Sequence, residues 1–149
     1  MMLQDRLTVE SHVRFFEKVQ VWFEDFCFKY LPQHGWPNCQ RSYRNLNLAL
    51  AESFTNVVRH AHRDLPPETP IEIEVTLWIN DRLEIKIWDY GKPFDPGTIP
   101  EPEPGTLQVG GYGWYLIRRS VDYFIYERSP DNRNCLRIGE FYQKSNTKS

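Results

Sequence analysis

The sequence predicts an α+β fold, a two-layer sandwich with a mixed, mostly antiparallel sheet and the helices on one face. Three observations carry this. Two long stretches, residues 10–31 and 39–62, place apolar side chains at helical spacing. Residues 71–79 and then 83–87 instead alternate apolar and polar, the signature of half-buried strands. The links between neighbouring strands are too short for a crossover, so those strands pair antiparallel.

Taken in order, residues 3–9 form a short first strand. The first helix carries its stripe on Val13, Phe16, Phe23, Cys27 and Tyr30, and the proline- and glycine-containing residues 32–37 break it. The second helix buries Leu46, Leu50, Ser53 and Val57, with Phe54 and Ala61 beside them. In the next strand Ile71, Ile73, Val75, Leu77 and Ile79 point one way, and Glu72, Glu74 and Thr76 the other. A three-residue loop, Asn80-Asp81-Arg82, pairs Ile79 with Leu83 and keeps both apolar faces together. By the same parity Trp78 and Trp88 fall on the outward face, an aromatic surface suited to a partner. Residues 93–104 hold Pro93, Pro96, Pro100, Pro102 and Pro104 and fit no regular element. Such a loop inside a compact domain is often a functional lid. A third helix over residues 112–121 and strands over 122–128 and 134–142 complete the order, and 143–149 read as a disordered tail.

Composition bounds the function. A chain of 149 residues makes one domain, here 1–149, and buries about 70% of its unfolded surface without help from disulfides. A net charge of −2 argues against direct nucleic-acid binding. Cys27, Cys39 and Cys135 have no metal-ligand spacing. No apolar run approaches the roughly 18 residues of a membrane span, and no apolar segment marks a signal peptide, so a cytoplasmic protein away from membranes is expected.

Three groups of residues can carry chemistry. Glu52, Asn56 and His60 recur every four residues along one stripe of the second helix. The oxygens of Glu52 and Asn56 suit Mg²⁺, and Glu52 could alternatively act as a base; Glu and Asn on a helix more commonly face solvent. Asp89 continues the inward set of Leu83, Ile85 and Ile87, and a carboxylate on the core side of a strand end needs a donor as partner. The exocyclic amino group of adenine is one such donor, a turn cap another reading. Gly91 follows, where a missing side chain lets a backbone approach closely. Gly110, Gly111, Tyr112 and Gly113 lead into a helix, a geometry that turns backbone N–H groups toward an anion. His60 and His62 lack an evident third metal ligand, so His62 reads as structural or solvent-facing.

In this order the groups resemble the anti-sigma factor serine/threonine kinases, a branch of the GHKL ATPases with their Bergerat fold. The matching stretches are residues 50–61, 89–96 (with Gly91, Pro93, Phe94, Asp95 and Pro96) and 110–117. The resemblance implies ATP and Mg²⁺ as cofactors. It makes Asn56 the metal ligand, Asp89 the adenine contact, and Glu52 the base that activates a serine hydroxyl. His60, Gly91, Phe94, Gly110, Gly111, Tyr112 and Gly113 would border the nucleotide. It implies a STAS-domain antagonist as substrate, a sigma factor as a further partner, and a homodimer. Two features depart from the pattern: Pro93 stands where the wider superfamily often has a second glycine, which this branch tolerates, and the lid lacks basic residues. Residues 96–109 contain no Lys or Arg and do contain Glu101 and Glu103, which suggests slow phosphoryl transfer and leaves an ATP-gated binding switch as the alternative. A detached histidine-kinase catalytic domain fits less well, because no helix offers a phospho-acceptor histidine in a dimerisation hairpin.

Overall fold

The computed structural model describes residues 1–93 and 112–143. Its strands are β1 (Met2–Glu10), β2 (Pro70–Trp78), β3 (Arg82–Asp89), β4 (Tyr123–Arg128) and β5 (Asn134–Phe141). Its helices are α1 (Phe16–Tyr30), α2 (Cys39–Asn56) and α3 (Tyr112–Ser120). The strands form one sheet in the order β1-β2-β3-β5-β4. All four pairings are antiparallel, so no parallel neighbour enters the expected mixed sheet. The expected disordered tail, from residue 144 on, lies outside the described residues, as do residues 94–111, which hold nearly all of the expected lid.

Strand parity sets the two layers. Ile73, Val75 and Leu77 of β2 face Ile87, Ile85 and Leu83 of β3 across the ladder; Ile71 of β2, opposite Val9 of β1, and Leu136 and Ile138 of β5 extend the same surface. All are buried, beneath Phe23, Phe26, Leu46, Leu50 and Phe54 from the helices. At about 1.5–3 kcal/mol for each large apolar side chain removed from water, this surface is what holds the helical layer to the sheet.

Four local expectations change. The first helix does not begin at Glu10, because Glu10 still pairs with Pro70 in the β1–β2 ladder. A 3₁₀ turn, Val13–Phe15, then leads into α1, with His12 Nδ1 accepting the Arg14 N–H at 3.0 Å. At about 100° per residue Val13 lies well off the face centred on Phe23, so it stays exposed and Val19 and Phe26 are buried instead. The second helix does not run α-helically to His62: after Asn56 it widens into a π-turn, Val57–Ala61. Finally, the β2–β3 register pairs Trp78 with Arg82 and Leu77 with Leu83. The loop keeps three residues but starts at Ile79, one earlier than expected. Asn80 occupies its left-handed position at φ 64°, a conformation Asn adopts more readily than most residues.

The outward sheet face is covered by its own long side chains. Glu74 and Glu84 are only 4% and 2% exposed there. Arg6 bonds Glu74 at 2.7 Å and pairs with Glu72, and Tyr123 Oη donates to Glu84 at 2.5 Å. The Tyr123 ring lies flat across Gly139, where any Cβ would collide with it. Trp78 and Trp88 are half-buried, not free aromatic surface. Arg82 sits 3.8 Å over Trp78, and Arg6, Lys86 and Arg133 surround Trp88.

Candidate functional site

A cleft of about 500 Å³ opens between the C-terminal end of α2, the end of β3 and the start of α3. That is an ordinary size for a small-molecule site. Val57, Ile87, Leu136, Trp114 and Tyr126 give it apolar walls, and Asn56, His60, Asp89, Gly91 and Lys92 bring polar groups to it. Trp114 stands edge-on to Phe124 and Tyr126, which fixes the ring that α3 contributes.

Asn56 occupies the last α-helical position before the π-turn. Its Nδ2 is buried without a hydrogen bond, whereas its Oδ1 is not shut off in this way. An open amide oxygen is a suitable hard ligand for Mg²⁺, which keeps most of its coordination sphere for water and phosphate. His60 is exposed at the cleft wall. Glu52 is half-buried one turn earlier and is not among the described residues that line the cleft. Phe94, Gly110 and Gly111 lie outside the described residues. Tyr112 and Gly113 open α3.

The end of β3 is held from two sides. Asp89 is 7% exposed, and its Oδ1 accepts the Gly91 N–H at 2.8 Å and Asn134 Nδ2 at 2.9 Å. Asn134 Nδ2 also donates to the Gly91 carbonyl at 2.8 Å, and Arg128 donates to Asn134 Oδ1 at 2.8 Å. Arg has only donors, while a carboxylate and a carbonyl only accept, so the Asn134 amide has one possible orientation. Asp89 Oδ2 makes no hydrogen bond among the described residues and belongs to a side chain that lines the cleft. From the other side, Tyr90 N–H donates to His62 Nε2 at 2.9 Å. The nearest neighbour of Gly91 is the π-turn itself: a Cβ there would stand 2.6 Å from the Ala61 carbonyl oxygen. Its lack of a side chain is therefore required by packing against the helix end.

Neither Asn134 nor a buried His62 was evident from the sequence as a site residue. Parity held the signal for Asn134, since it shares the inward face with Leu136 and Ile138 directly opposite Asp89. His62 is turned in because the π-turn closes with its N–H on the Val57 carbonyl, five residues back, at 2.8 Å. π-turns inside α-helices recur at functional sites.

His62 yields a pH prediction. Burial lowers its pKa below the usual value of about 6.5, against the opposing pull of the Asp89 charge. Accepting the Tyr90 N–H requires the neutral ring. Its contribution is therefore complete above about pH 6.5 and is lost as pH falls from there through the lowered folded-state value. Urea midpoints recorded from pH 8 to pH 5 should decline across that window, and His62→Leu should flatten the decline.

The family model described as a histidine kinase-like ATPase domain matches residues 29–139. The chain belongs to that family. The sequence resemblance to the GHKL kinases thus stands, and the two-layer α+β architecture agrees with this ATPase fold. The histidine kinase-like ATPase domain here is similar to three relatives, each named Serine-protein kinase RsbW. That of Oceanobacillus iheyensis is 34% identical over 90 residues, covering 54% of this chain and 55% of the relative. That of Bacillus velezensis is 34% identical over 88 residues, with 52% of each covered. That of Halalkalibacterium halodurans is 31% identical over 108 residues, covering 67% of this chain and 63% of the relative. The matched part thus spans between 52% and 63% of these curated relatives. Membership of an ATPase family implies ATP binding. Among the described residues no helix is long and apolar enough to cross a membrane.

Proposed function

We propose that this chain binds Mg²⁺–ATP in the cleft and acts as a cytoplasmic serine/threonine protein kinase on a STAS-domain antagonist, in a partner-switching arrangement that includes a sigma factor and a homodimer of the chain. The observation that carries the reading is the convergence of Asn56, Asp89 and Gly91 on one cleft, in a chain whose relatives are named serine-protein kinases. In this reading Asn56 Oδ1 holds the metal, which neutralises phosphate charge when bound. Asp89 Oδ2 accepts from the adenine amino group, and Lys92 stands at the cleft wall as a cation for the phosphates. Glu52 orients or deprotonates the serine hydroxyl, a task phosphoryl transfer assigns to one well-placed group.

A second reading, an ATP-gated binding switch with little transfer, draws on two observations. Glu52 is off the described cleft wall, and residues 96–109 offer acidic rather than basic side chains. One experiment separates the two: labelled ATP, Mg²⁺ and a STAS-domain protein are incubated with the wild type, Glu52→Ala and Asn56→Ala. The kinase reading expects label on a partner serine with the wild type, a loss of about 100-fold or more with Glu52→Ala, and loss of metal-dependent ATP binding with Asn56→Ala. ATP-dependent complex formation without label would favour the switch.

A further inference from the structure

Asp89 is an unusual base reader in that half of its carboxylate is already taken. A free carboxylate presents two parallel acceptors. Such a pair matches the Watson–Crick edge of guanine, where the N1–H and the 2-amino group are adjacent donors. Here Oδ1 is filled by the Gly91 N–H and by Asn134 Nδ2, and Asn134 is itself locked by Arg128 on its oxygen side and by the Gly91 carbonyl on its nitrogen side. Asn134 is 1% exposed, so water does not compete for these bonds. The other oxygen, Oδ2, makes no hydrogen bond among the described residues, and Asp89 lines the cleft.

We propose that Asn134 is a specificity-determining positioning residue that occupies Asp89 Oδ1, leaves a single acceptor facing the base, and so restricts the cleft to 6-amino purines. This rests on the nucleotide-binding reading above. Adenine brings one exocyclic donor to the remaining oxygen. A 6-oxo purine brings an acceptor to that place, and acceptor against acceptor is repulsive. Guanine could recover only by engaging both oxygens with its two donors, and Asn134 denies it the second one. A site whose buried polar groups would be left unpaired discriminates far more strongly than an apolar pocket does.

The test uses three nucleotides as Mg²⁺ complexes, ATP, ITP and GTP, titrated by calorimetry into the full chain. ITP has the 6-oxo group of GTP without its 2-amino group, so the GTP-to-ITP ratio reports whether a second carboxylate oxygen is available. For the wild type, ATP should bind at least about tenfold tighter than ITP, with GTP within about threefold of ITP. In Asn134→Ala the GTP affinity should rise at least about fivefold relative to ITP, and the preference for ATP over GTP should narrow. Asn134→Ser serves as the second variant should the alanine chain fail to fold, and the wild-type GTP-to-ITP ratio is informative without either. A merely structural role would weaken all three nucleotides equally, and that result overturns the proposal. So does a wild type that binds GTP about fivefold tighter than ITP. A wild type that binds none of the three overturns the underlying nucleotide reading instead, and the proposal with it.

Discussion

Gly91→Ala should unfold at markedly lower urea concentration than the wild type and should lose at least about tenfold in ATP affinity. The added methyl would meet the Ala61 carbonyl oxygen at 2.6 Å, its Cβ at 2.8 Å and its carbonyl carbon at 3.0 Å. Carbon atoms in contact settle at about 3.5–4.0 Å, so something must move. The obstacle is backbone, held by the His62 N–H on the Val57 carbonyl, and no rotamer change relieves it. Overpacking typically costs about 1–3 kcal/mol, and the upper end is expected where the neighbour is main chain. The displacement falls on Asp89, since the Gly91 N–H and carbonyl are tied to Asp89 and Asn134. Urea titration and calorimetry check the two halves separately. A variant within about 0.5 kcal/mol of wild type, with unchanged ATP affinity, would mean that the π-turn gives way freely.

Asp89→Asn should reverse the base preference while sparing the fold. Both protein neighbours of Oδ1 are donors, so the new carboxamide must keep its oxygen on them. Its NH₂ then points into the cleft, donor against the adenine amino donor. ATP affinity should fall about 100-fold, and ITP, whose 6-oxo group accepts, should bind more tightly than ATP. Because the bonds to Gly91 and Asn134 survive, the urea midpoint should move by no more than about 1 kcal/mol equivalent. Removing the Asp89 charge also removes the pull that raises the pKa of His62. The loss of stability on acidification should therefore extend to lower pH than in the wild type.

Much of the architecture was legible because two periodicities dominate this chain. Alternation placed Leu83, Ile85, Ile87 and Asp89 on the core side, where they are buried. Helical spacing gave the buried face of α2 from Leu46 to Phe54 and its continuation to Val57 at the start of the π-turn. What escaped lay where periodicity fails. The π-turn adds a residue to one helical turn, and nothing in Val57-Val58-Arg59-His60-Ala61 marks it as different from an α-helix. The loop starts one residue early and the β2–β3 pairing shifts by two, which keeps every side chain on its face, since Leu77 opposite Leu83 is as apolar a pair as Ile79 opposite Leu83. Asn134 was invisible as a site residue because its importance is a matter of partners 45 residues away in sequence. The burial of Glu74 and Glu84 was equally hidden, since it depends on arginines and a tyrosine from other strands lying over them.

The polar chain from Arg128 through Asn134 to Asp89 has a consequence for the newly made polypeptide. α2 and the end of β3, which supply Asn56 and Asp89, leave the ribosome well before the β4–β5 hairpin does. Until that hairpin docks beside β3, the Asp89 carboxylate has no Asn134 to hold it. Long-range strand pairing of this kind forms late. Firm nucleotide capture is thus expected only after the β4–β5 hairpin is in place, so that ATP binding itself marks a completed sheet.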